Sequence, residues 1–542
     1  MEKRWEVLNP SVVSSPQSLV GILLENRGIK DPETFFNPPN PDHLVTQLPT
    51  YLPDLNLDQL RRAAELIRRA IAAQEKIVIW GDYDVDGIAA TAVLWQALHR
   101  LGADVLPYIP DRFGEGYGLN VEGIRKLKEE GVQLLITVDS GITAVEEAKF
   151  CRSLGVDLIV TDHHLKSSLL PPATAVVHTT ALCGAGVAWL LASQLGADRL
   201  ELAASLDLVA IATVADLQPV LGANRALVKH GFEVLNRLER PGLAALVEAA
   251  GLRPGALGTY AAGWVLGPRI NAVGRVKHGI EALRLLCTSD LTKARQLAQV
   301  LNRANAERRA LTAHTFDHAR GLVNGKEGLI VVHHDQWHEG VIGLVAGKIV
   351  EEYGRPAVVI AKGKDFSKGS ARSVSGLNIV DLLRTQEDLL EDVGGHAAAA
   401  GFTIKTENLN KFVERLRATA GELLLGKDLR PVLKVDLPLP LEQLTLRLVR
   451  ELEKLAPHGV GNPEPTFLAE NARVVSERRV GREQQHLKLS LAPGFEAIWF
   501  SAEEDRGLRR GELVSLVYTP EVERWEGKER IILRIRDLRI PA

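Results

Sequence analysis

The chain has 542 residues, enough for three or four domains at roughly 150 residues each, and its 46% hydrophobic and 25% charged content excludes wholesale disorder and collagen-like repeats. Its 65 lysines and arginines against 68 acids leave a formal charge of -3, so no global basic excess advertises a nucleic-acid binder, and motifs must decide that question. No apolar run of ~18 residues occurs, the start Met1–Trp5 lacks an apolar signal segment, and Cys151, Cys183 and Cys287 lie far apart; the reading is therefore no membrane span, a cytoplasmic protein, and any metal held by oxygen and imidazole.

Residues 1–75 read as an N-terminal extension, Pro-rich around Asn37–Pro41 and then helical in pattern over Leu57–Gln74. From Lys76, short β-branched runs alternate with longer helical segments, the pattern of βαβ units and a parallel sheet. Strands are expected at Ile77–Trp80, Asp104–Ile109, Leu134–Val138, Leu158–Thr161 and Ala175–Val177. Helices are expected at Gly87–Leu101, Val121–Glu130, Thr143–Ser153, Ala185–Leu195 and Glu201–Ala215. This first α/β domain spans 76–290. A helical run without Pro or Gly from Leu291 to Arg320 assigns 291–325 to a linking helix. Residues 326–428 form a smaller α/β domain, with strand Leu329–His333, helix Gly340–Tyr353 and strand Ala357–Ala361. Residues 429–542 turn to short alternating runs, Thr466–Val475, His486–Leu491, Glu496–Phe500, Leu513–Tyr518 and Arg530–Ile535, which predict a small closed β-barrel.

The densest chemistry is Gly81-Asp82-Tyr83-Asp84-Val85-Asp86-Gly87, three acids alternating between an apolar strand and a helix. Asp and Gly are common in turns, and Asp caps helices, which accounts for one of the three. Three alternate carboxylates raise one another's pKa unless cations offset the repulsion. Two more strands run into Asp139-Ser140-Gly141 and Asp162-His163-His164, and in open α/β sheets ligands bind at that carboxyl edge. Asp207 lies within the last predicted helix of this region, Glu201–Ala215, and Asp216 follows it; either is open to a plain surface or capping role.

The Asp162-His163-His164 run, with the Asp82–Gly87 and Asp139 loops, resembles the DHH phosphoesterase superfamily. Gly369-Ser370-Ala371-Arg372-Ser373 and Gly394–Gly401 resemble the DHH-associated substrate domain. Cys183–Ala188, Pro268–Arg275 and Trp337–Gly343 are similar to motifs of the RecJ single-strand-specific exonucleases, and the resemblance runs from about Lys76 to the C-terminus. It departs from the family after the fifth strand, where His178-Thr179-Thr180 replaces the common Asn-Pro.

The resemblance implies a parallel-sheet DHH catalytic domain, a DHH-associated domain and a C-terminal OB-fold. It implies two ions per site, Mn²⁺ in preference to Mg²⁺, with Asp82, Asp84 and Asp139 serving one, Asp86, Asp139, His163 and Asp216 the other, and Asp139 bridging. Asp84, Asp86, Asp139, His163, His164 and Asp216 then carry catalysis, with Asp162 orienting the histidines. Ser370 and Arg372, read as a turn, join Gly395 and His396 as phosphate ligands, and Arg112, Tyr117 and Arg275 as lesser contacts to the strand. In the barrel, Arg478, Arg479, Arg482, Lys488, Trp499 and Trp525 are candidates for nucleic acid.

The implied function is 5′→3′ hydrolysis of single-stranded DNA to mononucleotides in repair and recombination, by a monomer working with a single-strand-binding protein and a RecQ-type helicase. Competing readings are a DHH phosphodiesterase for short oligoribonucleotides or cyclic dinucleotides, which needs no added barrel, and a catalytically silent single-strand-binding scaffold, which would have lost the acids. A pyrophosphatase ranks last, because diphosphate needs no strand-binding barrel.

Overall fold

A computed structural model of the chain describes residues 3–10, 16–112, 114–116, 118–276, 278–324, 327–502, 507–525 and 527–540. The chain divides into two compact units, one of residues 16–305 and 450–464, the other of 1–15, 306–449 and 465–542.

The first unit is organised by a five-stranded parallel sheet in the order Val105–Tyr108, Ile77–Trp80, Leu134–Val138, Asp157–Asp162, Ala175–His178. Its central strands are apolar on both faces because both faces are covered. Ile77 and Ile79 enter one core cluster, while Val78 and Trp80 enter another. The order reverses beside Ile77–Trp80, so the loops leaving that strand and Leu134–Val138 open at a topological switch point.

The helices follow the predicted alternation, Val85–Arg100, Val121–Glu129, Val145–Ser153 and Gly184–Gln194 among them. The single helix expected over Glu201–Ala215 is instead two, Arg199–Ala204 and Leu206–Ala215. Between them the Ser205 hydroxyl donates to the Leu202 carbonyl, a local bond that competes with continuous helix. A π-helical turn, Ala261–Leu266, leads into helix Gly267–Val276. The long helix runs from Leu291 to Gly321. Among the described residues, no helix is long and apolar enough to cross a membrane.

The second unit holds a five-stranded mixed sheet ordered Leu390–His396, Ala399–Lys405, Phe366–Arg372, Ala357–Ala361, Ile330–His334, with helices Glu339–Tyr353 and Leu409–Leu424. Its β-rich part is a six-stranded sheet. There Phe467–Val480 pairs with both His486–Leu491 and Leu513–Trp525, and the ladder continues through Phe495–Trp499 and Lys528–Arg539 back to Leu513–Trp525. Strand Arg4–Val7 pairs in parallel with Val432–Val435, while residues such as Leu44, Leu48 and Leu60 enter the main core of the first unit. The stretch 1–75 is thus shared between the two units.

Candidate metal centre

Two acids of the first loop are fixed by different local devices. Asp84 caps helix Val85–Arg100, its Oδ1 accepting from the amides of Asp86 (2.9 Å) and Gly87 (3.1 Å). Asp86, in the first turn, accepts from the amides of Gly184 (2.6 Å) and Ala185 (2.7 Å), which open helix Gly184–Gln194, so its charge sits at the positive end of that helix. Only glycine fits two neighbouring positions: a β-carbon on Gly87 would lie 2.6 Å from Asp82, and one on Gly184 would lie 2.6 Å from Cβ of Asp139. Asp139 follows its strand at φ 61°, a left-handed conformation that a short acidic side chain tolerates.

The histidines are aimed by Asp162. Its Oδ1 accepts from the amides of His163 (2.7 Å) and His164 (3.1 Å) and from Nδ1 of His164 (2.8 Å), and its Oδ2 accepts from the amide of Ile142 (2.9 Å). With both oxygens committed to its own loops, Asp162 orients ligands. His163 Nε2 stands 3.0 Å from Asp139, 3.6 Å from Asp86 and 3.7 Å from Asp216, the residue that ends helix Leu206–Ala215. Three groups of candidate ligand atoms each lie within 4.8 Å of one another: Asp82, Asp84 and Asp139; Asp86, His163 and Asp216; Asp139, His163 and His164.

This proximity is electrostatically adverse. Burial, then Asp84, drives the Asp82 carboxyl well above the usual range, and burial, then the other acids of the cluster, does the same to Asp139. Burial also raises Asp84 and Asp86, and burial with the charge of Asp86 pushes Asp216 up to about 6. Burial alone would lower His164, but its hydrogen bond to Asp162 and the charges of Asp162, Asp216 and Asp86 carry it up to about 9. Among the described residues Oδ1 of Asp82, fully enclosed, has no hydrogen-bond partner. Five crowded carboxylates, one unsatisfied, with imidazole nitrogen among them, fit hard divalent cations and favour Mn²⁺, which accepts imidazole more readily than Mg²⁺.

Of the two acids left open by sequence, Asp207 is engaged elsewhere, paired to Arg240 at 2.8 Å, while Asp216 joins the cluster. Arg112 stacks on the Tyr83 ring at 4.8 Å. Burial, then Asp82, pushes the Tyr83 phenol up to about 12 against the nearby charges of Arg112 and Arg275, so both arginines border the acid loop. Tyr117, and the side chain of Trp525, lie outside the described residues.

In the second unit, Gly369–Arg372 is not the expected turn: it ends strand Phe366–Arg372. Gly369 is obligatory there because the ring of Phe402 lies 2.0 Å from where a β-carbon would be. Ser370 and Arg372 therefore share one face of the sheet. Arg372 pairs across with Ala399, itself paired with His396, and Gly395 pairs with Ala400 beside them. Arg372 Nη1 donates to Ser370 Oγ (3.3 Å), and a β-carbon on Gly343 would stand 2.9 Å from that oxygen, which places the Trp337–Gly343 motif over this row. In the β-rich part Lys488 is paired to Glu496 (2.9 Å) and Arg479 donates to the Ala502 carbonyl (2.8 Å).

Four further residues support the site, and of these Gln218 and Asp54 carry no signal in the sequence. Gln218 donates to Asp216 (2.9 Å) and stands 3.3 Å from Nδ1 of His163. Asn271 accepts from the Val85 amide (2.6 Å). His178 Nε2 donates to the His164 carbonyl (2.7 Å), and Asp54 holds Thr180 by its amide (2.8 Å). The departing His178-Thr179-Thr180 segment thus braces the histidine loop; only its departure from the family pattern marked it.

Three family profiles match: the DHH family, N-terminal domain, over residues 76–213, the DHHA1 domain over 326–422, and the RecJ OB domain over 435–537. The single-stranded-DNA-specific exonuclease RecJ of Bacillus subtilis is 37% identical over 98% of the chain and 70% of its own length. Among solved structures, RecJ from Thermus thermophilus in complex with Mn²⁺ superposes with a TM-score of 0.85 at 33% identity, covering 99% of this chain and 80% of that one. The same protein in complex with Mg²⁺ gives 0.80 at 31%, covering 99% and 79%.

Proposed function

The chain belongs to the RecJ family of single-stranded-DNA-specific exonucleases, and from that premise we propose that it is a divalent-metal-dependent exonuclease that digests single-stranded DNA from the 5′ end to mononucleotides. The observation that carries this reading is the convergence of Asp82, Asp84, Asp86, Asp139, His163 and Asp216 at one sheet edge, with an unsatisfied carboxylate among them. We assign 76–290 as the catalytic domain, 326–428 as a substrate-binding domain and 429–542 as a nucleic-acid-binding domain, joined by 291–325 and preceded by 1–75.

Asp82, Asp84 and Asp139 would hold one divalent cation and Asp86, Asp139, His163 and Asp216 a second, Mn²⁺ in preference to Mg²⁺, supplying Lewis acidity and charge neutralisation at the scissile phosphate. Asp139 would belong to both sets. The amides of Gly184 and Ala185 hold Asp86 in place and favour its charged form against the burial that raises its pKa. His164, held through Nδ1 by Asp162 and raised by that contact to about 9, would donate to a phosphoryl oxygen as negative charge grows there. Ser370, Arg372, Gly395 and His396 bind a phosphate of the strand, with Arg372 supplying a planar fork. Arg112 and Arg275, which border the acid loop, are assigned to the strand, as is Tyr117.

We further propose that it acts in DNA repair and recombination in the cytoplasm, as a monomer, with a single-strand-binding protein and a RecQ-type helicase as partners. The decisive experiment is Mn²⁺-dependent digestion of single-stranded DNA labelled at either end, beside RNA, duplex and cyclic dinucleotide. Immediate release of the 5′ label as mononucleotide, with duplex resistant, is the expected result. Cleavage of short RNA or cyclic dinucleotide alone would reassign the protein to the small-phosphodiester branch.

A further inference from the structure

Between strand Val105–Tyr108 and helix Val121–Glu129 the chain is tied back on itself by Glu115, a carboxylate to which no role has yet been given. Both of its oxygens are committed: Oε1 accepts from the Tyr108 hydroxyl, and Oε2 accepts from the Asp111 amide (2.8 Å). Asp111 returns the contact. Its carbonyl accepts from the amides of Glu115 (2.8 Å) and Gly116 (3.2 Å), and its Oδ1 accepts from the Gly114 amide (2.7 Å). Arg112, next in sequence to Asp111, is therefore carried on a turn closed by side chain and backbone together. Its guanidinium lies 4.8 Å over the Tyr83 ring, and its charge opposes the burial that raises Asp82 and Tyr83.

Tyr108 anchors this turn to the strand that bears the acids. It pairs in register with Trp80, two residues before Asp82, and the two rings stack with centroids 4.4 Å apart. The Trp80 indole donates to the Gly118 carbonyl (3.2 Å), which fixes the far end of the same loop. A β-carbon on Gly123 would stand 2.4 Å from the Trp80 ring, so the helix that follows is seated there as well. Arg112 is thus referred, through Glu115, Tyr108 and Trp80, to the strand that ends at the metal centre. Negative charge three residues from an arginine assigned to a polyanion is electrostatically adverse. Two donors that need an acceptor on each oxygen account for a carboxylate at that position.

We propose that Glu115 is a positioning residue: with Tyr108 it closes the turn that carries Arg112, so that the guanidinium is held ready for a phosphate of the strand beside the acid loop. This rests on the exonuclease reading and on Arg112 as a contact to the strand. An arginine already ordered loses less conformational freedom on binding, so the latch contributes affinity without touching the strand itself.

The test reads KM and kcat of the full chain on single-stranded DNA, and Kd for a labelled strand by anisotropy with Mn²⁺ in an Asp139→Asn background. Arg112→Ala and Glu115→Ala are each expected to raise KM and Kd about tenfold, with kcat nearly unchanged, and to reduce the slope of log Kd against log salt by about 0.7, one phosphate contact. The sign is diagnostic, because loss of an acid beside a polyanion tightens binding if charge alone acts. Glu115→Gln should recover most of the affinity: its carbonyl can accept from the Asp111 amide while its NH₂ donates to the Tyr108 oxygen. Tyr108→Phe keeps the ring on Trp80, removes one of the two bonds and should give a smaller rise. Added to Arg112→Ala, Glu115→Ala should weaken binding no further. Unchanged or tighter binding in Glu115→Ala, unchanged binding in Arg112→Ala, or a full second loss in the double variant would overturn the latch while leaving the exonuclease standing. A parent that binds the strand and responds to these variants as stated but cuts nothing would refute the exonuclease and keep the latch.

Discussion

The acid-lined edge of the parallel sheet and the row Ser370, Arg372, His396 in the mixed sheet follow opposite electrostatic plans. At the first, five carboxylates are gathered where burial and mutual repulsion raise their pKa values, with one oxygen unsatisfied. At the second, burial lowers the pKa of the Arg372 guanidinium, whose described bonds go only to a hydroxyl and a carbonyl. One is an excess of anions that calls for cations, the other a cation that calls for an anion. Both are arrangements that folding alone disfavours, and each is intelligible as a binding site whose ligand completes the charge balance.

The largest effect should come from breaking the first plan. Asp139→Asn removes a carboxylate shared by two ligand groups and should lower turnover at least about a thousandfold. It should also raise the stability of the metal-free protein by about 1 kcal/mol, because it relieves repulsion. Saturating Mn²⁺ should raise the Tm of the parent by about 5 °C and leave that of the variant almost unmoved. Calorimetry with and without Mn²⁺ checks both; an equal metal shift in the two proteins would refute the shared-ligand arrangement.

The second plan predicts a different kinetic signature. Arg372→Ala should raise KM about 10- to 100-fold, the worth of a charge-assisted pair, with a smaller change in kcat and a weaker dependence of KM on salt. Arg372→Lys should recover only part, because a lysine loses the planar fork. A fall in kcat with KM preserved would place Arg372 outside the phosphate site.

The difference between the two regions also explains what the sequence could disclose. The acids were legible because strand ends and alternating aspartates are local signals, and the strand-by-strand pattern carried the parallel sheet with boundaries nearly as observed. The Ser370–Arg372 segment was misread as a turn because glycine and serine dominate its composition; the ring of Phe402, over thirty residues later in sequence, is what makes glycine necessary in a strand. Gln218, Asn271 and Asp54 reach the site through tertiary contacts that no periodicity encodes. Neither does local pattern show that Arg4–Val7 pairs with Val432–Val435.

His178 tests whether bracing from outside the acid cluster matters. Its Nε2 donates to the His164 carbonyl, while its Nδ1 is buried without a partner among the described residues. His178→Ala should lower kcat about tenfold, in the range of residues that orient ligands, while leaving KM close to the parent value. Equal activity would mean that Asp162 alone is sufficient to hold the histidine loop.

The smallest effect separates burial that serves a site from burial that does not. Two histidines of the first unit are pushed in opposite directions: Asp162 carries His164 up to about 9, whereas burial takes His458 down to about 4, with Glu464 opposing and Arg27 and Arg225 reinforcing. His458 Nδ1 is buried and has no partner among the described residues, so a proton there would be uncompensated. Below pH 6.5 the unfolded chain takes up a proton that the folded form refuses until about pH 4, so stability from this group is present at neutral pH and lost as pH falls through that window. Between pH 7.5 and 5.5 the loss should be about 1 kcal/mol, or roughly 2–4 °C in Tm. His458→Gln should flatten that part of the profile without altering turnover. A variant whose Tm falls with acid as steeply as the parent's would show that His458 is protonated in the fold, and that its burial, like that of His164, is compensated by a partner.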